Sequence, residues 1–503
     1  MGNGGCGKSA LIARAAQDLL GQTEHSQLLI MQRYIGGVSG TESLLNTLSE
    51  LCVDLAFLNG YKQQESIQNK RDIRKILYKL LEGASAQRPV CLFLDSLDQL
   101  EQADEAWTLE WLPKELPPFS RLVVSVRSGT VAEASARIRF PGNIVEVYPL
   151  NLTEGKAILS AWMADKQCLH FSAGLPRVRG RRLTPDQEEA VLSRFSQSGS
   201  ALWLKLAYED ASTWASWDPP RELPESIQDL IDDLFDTRLL KRQKHPRIFT
   251  HRAIAYLSAG RFGLSEDELG RVLGSDPDVR REFEGNQRTQ KKWDNSEKLP
   301  PILWSRLRSD LESYLGELQM DGSVLMRWFH REFTDSFSAR FLSSTVERHT
   351  IHGALASTFQ KMERDLRPLE MNDDGLFRAT DSGGKPVSAA LRRLMEQPWH
   401  LWQSGAGAES HALVTDFGFC MGKCAANRAE DLLRDFIRSR GASENTSATE
   451  SWSRIFFKKG RLLRRGDTKW PAHKILLQIA MEDADLSPLR YAAQTWLSKG
   501  LCD

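Results

Sequence analysis

Apolar residues follow two different rhythms along the first third of the chain. Short, nearly unbroken apolar runs occupy residues 28–33, 90–94, 121–126 and 144–147, each the length of a strand buried on both faces. Around them apolar residues recur at helical spacing. Leu11, Ile12, Ala15, Ala16, Leu19 and Leu20 form one such stripe, with Gly21 as its stop, and residues 42–58 and 73–81 form two more. Strands alternating with helices predict a parallel sheet with helices on both faces, an α/β core.

Beyond residue 150 the strand signal fades. Helical stretches are expected at 153–165, 188–197 and 201–211, and the prolines of Asp218-Pro219-Pro220 and Leu223-Pro224 mark a boundary. A helix over 251–259 follows, then a short one over 266–273 that Ser265 caps, with Glu268 completing a capping box. Strand-like pieces at 314–319 and 323–329 flank Asp321-Gly322, a hairpin signal, and a helix is expected over 332–342. Two helices, then a hairpin, read as a winged helix. Residues 345–503 are mostly helical, broken by a polar loop at 371–385 and a Gly/Ser/Thr stretch at 441–450. Trp399, Trp402, Trp452, Trp470 and Trp496 are expected to pack between these helices. Cys420 and Cys424 share one helix face and are read as packing residues, not metal ligands. The expected division is 1–150, 151–222, 223–345 and 346–503.

Composition narrows the functional classes. Lys plus Arg number 66 and Asp plus Glu 66, so the 503-residue chain is formally neutral. Neutrality argues against a nucleic-acid coat and against a polybasic membrane binder. The basic stretch 177–182 has no interleaved aromatics and reads as a solvated loop. Seven irregularly spaced cysteines give no disulfide framework, so a reducing, cytoplasmic setting is expected. No apolar run approaches the roughly 20 residues of a membrane helix, and the first residues lack a secretory apolar core.

The chemistry is concentrated at the N-terminus. Gly2-Asn3-Gly4-Gly5-Cys6-Gly7-Lys8-Ser9 fits G-x-x-x-x-G-K-[ST], and these residues with Ala10 are the candidate nucleotide-binding set. Glycines let such a loop curl so that backbone N–H groups point at a polyphosphate. The helix N-terminus adds its dipole. Lys8 is placed to reach the β- and γ-phosphates, and the Ser9 hydroxyl to sit on Mg²⁺. The run at 90–94 ends in Asp95-Ser96-Leu97-Asp98, a buried strand with a carboxylate at its C-terminal end, where open α/β sheets bind ligands. Asp95 is the candidate metal ligand, directly or through water. Asp98 is the candidate group to position or deprotonate an attacking water. Arg127, at the end of the next strand, is the candidate sensor of a γ-phosphate.

Together these pieces resemble the NACHT branch of the STAND signal-transduction ATPases. They look similar to its nephrocystin-like and telomerase-associated-protein-like subgroup, whose members often continue into WD repeats. Gly2 to Ser9 matches the family's first nucleotide motif, and Leu92 to Asp98 resembles its second. Tyr34-Ile35-Gly36-Gly37, Trp111-Leu112-Pro113 and Val123-Val124-Ser125-Val126-Arg127 look similar to the subgroup. The family often has a Glu where Gln99 stands, which leaves Asp98 as the catalytic acid. It also has a Gly-x-Pro near the adenine, where this chain has Gly199-Ser200-Ala201. Phe329-His330-Arg331-Glu332-Phe333 resembles the motif whose histidine touches the β-phosphate of ADP in the closed form, so His330 joins the nucleotide-binding set.

The resemblance implies ATP and ADP with Mg²⁺, slow hydrolysis, and a closed-to-open transition into a homo-oligomer. Upstream effector and downstream sensor domains are expected elsewhere. Two other readings stay open. One is a scaffold that binds nucleotide without hydrolysing it. The other is an AAA+-like ATPase dependent on nucleic acid, against which the neutral charge argues. A P-loop is ordinarily entered from a strand, and only Met1 precedes this one. The sheet is therefore expected to lack its first strand, leaving a gap beside residues 90–94 or 123–126, and the chain to be a shortened form of a longer protein.

Overall fold

Two units, Met1–Arg238 and Leu239–Asp503, make up the chain. The computed structural model describes all residues except 22–27, 37–43, 45–46, 49–50, 53, 56–69, 102–105, 165–170, 173–174, 177–182, 284–292, 294–297, 321–322, 363–369, 372–376, 379–387, 427, 441–446, 464–469, 485 and 499–503.

The first unit opens with helix α1 (Lys8–Gly21), strand β1 (Leu29–Tyr34), helix α2 (Lys70–Leu81), strands β2 (Val90–Asp95) and β3 (Ser120–Val124), and helix α3 (Val131–Arg139). The three strands form a parallel sheet in the order β1-β2-β3. All six residues of β2 are buried, as a central parallel strand requires. Side chains alternate across a strand, so β2 feeds two cores. Val90, Leu92 and Leu94 join Met31, Leu51 and Leu77 on one face. Cys91 and Phe93 join Ile12 and Ala16 of α1 on the other. Asp95 continues the second series and faces α1.

The strands expected at 28–33, 90–94 and 121–126 are thus present, shifted by a residue or two at their ends. The helix expected at 42–58 falls partly outside the described residues, but Leu44, Leu48, Leu51 and Leu55 are buried at helical spacing. The strand expected at 144–147 is not formed. Its backbone bonds to Met1 instead. The Met1 amine donates to Val145 O at 2.7 Å, and Val147 N–H donates to Met1 O at 2.7 Å. Two such bonds to a single residue do not make a ladder. Gly2 in turn bridges Arg127 in parallel, and Ser128 N–H donates to Gly2 O at 3.0 Å. The expected gap beside 90–94 is also corrected, because β2 is paired along both edges. Among the described residues, the outer edge of β3 has no further ladder, and Val123 is 40% exposed there.

Helices α4 (Leu152–Ala164), α5 (Pro185–Ser198) and α6 (Ala201–Ala211) complete the part of this unit that bears on the site. Thr184 and Gln187 close a capping box on α5. Gly155 permits close approach of α4 and α5, since a Cβ there would lie 2.1 Å from the Phe195 ring. The basic stretch 177–182 lies outside the described residues.

The second unit begins with α7 (Arg247–Ala259) and α8 (Glu266–Ser275), the latter capped by Ser265 and Glu268 as expected. Strands β4 (Leu315–Met320) and β5 (Ser323–Trp328) pair antiparallel, and Leu264 adds an antiparallel bridge to Met326. The hairpin's turn residues Asp321 and Gly322 lie outside the described residues. Helix α9 (Arg331–Phe341) buries Phe333 and Phe337 against Trp328, with ring centroids 5.5 and 4.9 Å away.

Then follow α10 (Thr345–Lys361), α11 (Ser388–Gln403), α12 (Phe417–Ala425), α13 (Ala429–Arg440), α14 (Ser447–Leu463), α15 (Ala472–Met481) and α16 (Pro488–Ser498). The polar loop expected at 371–385 lies mostly outside the described residues. The stretch expected to be irregular to residue 450 is helical from Ser447 onward, because Trp452 and Phe456 carry that helix into the core. Cys420, Cys424 and Trp452 are buried in this core. Burial pushes the Cys424 thiol up to about 12, in keeping with its place as a packing residue. Trp470 departs from its expected role: it is 51% exposed, with the Lys474 ammonium over its ring. Among the described residues no helix is long and apolar enough to cross a membrane.

Candidate functional site

The loop from Gly2 to Ser9 turns into α1 at the C-terminal end of the sheet. Gly5 and Gly7 hold φ of +74° and +96°, the left-handed region where a side chain is strained. At Gly5 there is also no room, since a Cβ would lie 2.7 Å from Leu202 Cβ. The first helical bond of α1 runs from Leu11 N–H to Gly7 O, 2.9 Å, so the N–H groups of the first turn remain for a ligand. Lys8 folds back over the loop, its Nζ donating to Gly2 O at 2.7 Å and Asn3 O at 2.8 Å. Its charge therefore sits at the loop's mouth on two neutral acceptors that an anionic phosphate would outcompete.

Alternation along β2 brings Asp95 to the same place. Its carboxylate is 3% exposed and accepts three hydroxyls. Oδ2 takes Ser9 Oγ at 2.5 Å and Ser96 Oγ at 3.2 Å, while Oδ1 takes Ser125 Oγ at 2.5 Å. Burial, and then the Asp95 charge, raise the pKa of Tyr34, the residue paired with Asp95 in the sheet. Ser9 and Asp95 supply a hydroxyl and a carboxylate, hard oxygen donors of the kind Mg²⁺ takes. They already touch through a single proton. Residues fit for the metal are thus in place.

Asp98 lies one turn beyond, where its Oδ1 accepts the backbone N–H of Arg127 at 3.0 Å. The structure brings these two residues together. Arg127 is also the residue bridged to Gly2. His330 belongs to the second unit and caps α9, its Nδ1 accepting Glu332 N–H at 3.2 Å.

Sequence reasoning missed two groups. Ser125 is a buried hydroxyl inside an otherwise apolar run, which was a usable signal. Ser200 and Leu202 hold the loop from outside: Gly5 O accepts Leu202 N–H at 3.0 Å and Ser200 Oγ at 3.2 Å. The same Ser200 caps α6, accepting Trp203 N–H at 3.4 Å. No spacing rule links residue 5 to residue 200.

The family model of the NACHT domain matches residues 1–166. The human NACHT domain- and WD repeat-containing protein 1 is 27% identical over 453 residues, covering 86% of this chain and 27% of that protein. The mouse NACHT and WD repeat domain-containing protein 2 is 27% identical over 364 residues, covering 70% of this chain and 20% of its own length. The chain thus spans about a quarter or less of these relatives. Among solved structures, Cdc6p from Pyrobaculum aerophilum matches 72% of this chain and 87% of its own, at 13% identity and a TM-score of 0.28. The loop, α1 and the carboxylate ending β2 all lie within the residues this family model matches.

Proposed function

We propose that this chain is an ATP-dependent STAND-type switch, in which ATP or ADP with Mg²⁺ is bound by residues Gly2–Ala10, the loop and the first turn of α1, and slow hydrolysis resets the state. The observation that carries this reading is the meeting of Lys8, Ser9 and a buried Asp95 at the N-terminus of α1. Bound Mg²⁺ supplies charge neutralisation for the phosphates. The loop's N–H groups bind the phosphates, and Lys8 exchanges its carbonyl partners for phosphate oxygens. Ser9 and Asp95 hold the metal, Asp98 orients water, and Arg127 reads the γ-phosphate. The domain plan is 1–150 for nucleotide, 151–222 helical, 223–345 a winged helix, and 346–503 helical. His330 keeps the role its motif resemblance implies, that of the histidine associated with ADP in the closed form. Opening would then allow homo-oligomerisation and signalling in the cytoplasm.

Calorimetry with ATP and ADP tests the core of this. Lys8→Ala should lose nucleotide affinity, because the loop's one side-chain cation is gone. Unchanged affinity would remove the P-loop assignment. A non-hydrolysing scaffold is the second reading, favoured by the engagement of Asp98 Oδ1 with a backbone amide and by Gln99 beside it. Absence of turnover in Mg²⁺, with binding intact, would select it.

A further inference from the structure

Ser125 makes three fixed hydrogen bonds around its own position. Its backbone N–H donates to Leu94 O at 3.0 Å, and its carbonyl accepts Leu97 N–H at 3.0 Å, extending the β2–β3 pairing past the end of β3. Its Oγ accepts Ser96 N–H at 2.8 Å. That last bond exists because Ser96 takes a left-handed conformation, φ 60° and ψ 50°, which is uncommon for a residue with a side chain. With Ser96 N–H donating to it, the Ser125 hydroxyl directs its own proton to Asp95 Oδ1, 2.5 Å away. Ser125 is 4% exposed, so water does not compete for this rotor.

The two oxygens of Asp95 are therefore divided. Oδ1 is held from the β3 side by Ser125. Oδ2 faces Ser9 and carries the contact a divalent cation would replace. We propose that Ser125 is a positioning residue for the metal-binding carboxylate, locking the rotation of Asp95 so that Oδ2 is presented to the cation that accompanies the nucleotide. This rests on the reading that Ser9 and Asp95 hold that cation. A buried hydroxyl bonded to a metal-ligating carboxylate acts through orientation and charge distribution, and losing such a partner typically weakens metal affinity about 10- to 100-fold.

The test uses the full chain with Ser125→Ala, Ser125→Thr and the near-isosteric Ser125→Cys. ATP affinity is measured by calorimetry in excess Mg²⁺ and in EDTA, and Mn²⁺ binding in the presence of ATP is followed by electron paramagnetic resonance. Ser125→Ala should weaken Mn²⁺ binding by about tenfold or more. It should shrink the gain in ATP affinity that Mg²⁺ confers, leaving affinity in EDTA at the parent value. Ser125→Thr should restore both, and Ser125→Cys, a weak donor that fills the same space, should reproduce the alanine loss even if Ser125→Ala does not fold. Equal loss in EDTA and in Mg²⁺ would reduce Ser125 to a structural role and overturn the inference. Parent-like Mn²⁺ affinity in the alanine and cysteine variants would also overturn it. If instead Lys8→Ala keeps full ATP affinity, the nucleotide reading itself fails, a result separable from either of these.

Discussion

A carboxylate's chemistry depends on what each of its oxygens is already doing. Asp95 and Asp98 stand three residues apart, yet one is surrounded by hydroxyls and the other holds a main-chain amide. Asp98→Asn should therefore leave the fold intact, because the amide oxygen of asparagine still accepts Arg127 N–H. It should slow hydrolysis at unchanged ATP affinity if, as proposed, Asp98 orients the water and Asp95 holds the metal. Asp98→Ala removes the acceptor as well and should destabilise the first unit by about 1 kcal/mol. Urea melts of both variants, set beside ATP turnover, separate the roles. Equal loss of binding and turnover in Asp98→Asn would assign this residue to the metal.

Among the elements, the loop and α6 behave as one piece. Gly7 and Gly5 share a left-handed backbone, but only Gly5 is pressed against α6. Gly7→Ala meets no atom within 4 Å and should cost the strain alone, about 1–2 kcal/mol. Gly5→Ala adds a collision with Leu202 and should cost more, with a larger drop in nucleotide affinity. Denaturant melts and calorimetry on the pair check the order; a reversed order would mean that α6 yields freely. Through Gly5 O, Ser200 and Leu202, any shift of α6 reaches the peptide that shapes the phosphate cradle.

On the scale of the whole molecule, the second unit is built around buried charge. Arg392, fully buried, bonds Glu268 of α8, Glu396 and the Gly263 carbonyl. Beside it His352 Nδ1 and His400 Nδ1 lie 2.8 Å apart. Burial, then the neighbouring His400, push the His352 pKa from 6.5 down to about 3. Burial would raise Glu396, but Arg392 and the His400 bond overcome it and hold Glu396 at about 2 against an ordinary 4.5. Both shifts have the same consequence. Below pH 6.5 the unfolded chain protonates His352 while the folded chain does not, so stability falls toward pH 3. Below pH 4.5 the stabilised Glu396 carboxylate is progressively lost as well, down to about pH 2. The Tm of the second unit should drop in these two stages. His352→Asn should flatten the first and spare the second; a parent-like first stage in that variant would place the linkage elsewhere.

What could be read in the sequence was local. The glycine loop, the stripe of α1, the buried run ending in Asp95, and the Ser265–Glu268 cap all depend on residues a few positions apart, so spacing alone specifies them. His330 entered only through the resemblance of residues 329–333 to a motif, and its place as the cap of α9 came with the fold. Strand order, the burial of Arg392, the hydroxyl that fixes Asp95, and the clasp of α6 on Gly5 join residues from 30 to 197 positions apart. Such partners are chosen by which polar groups become buried together and must satisfy one another, a requirement that arises only once the elements have packed.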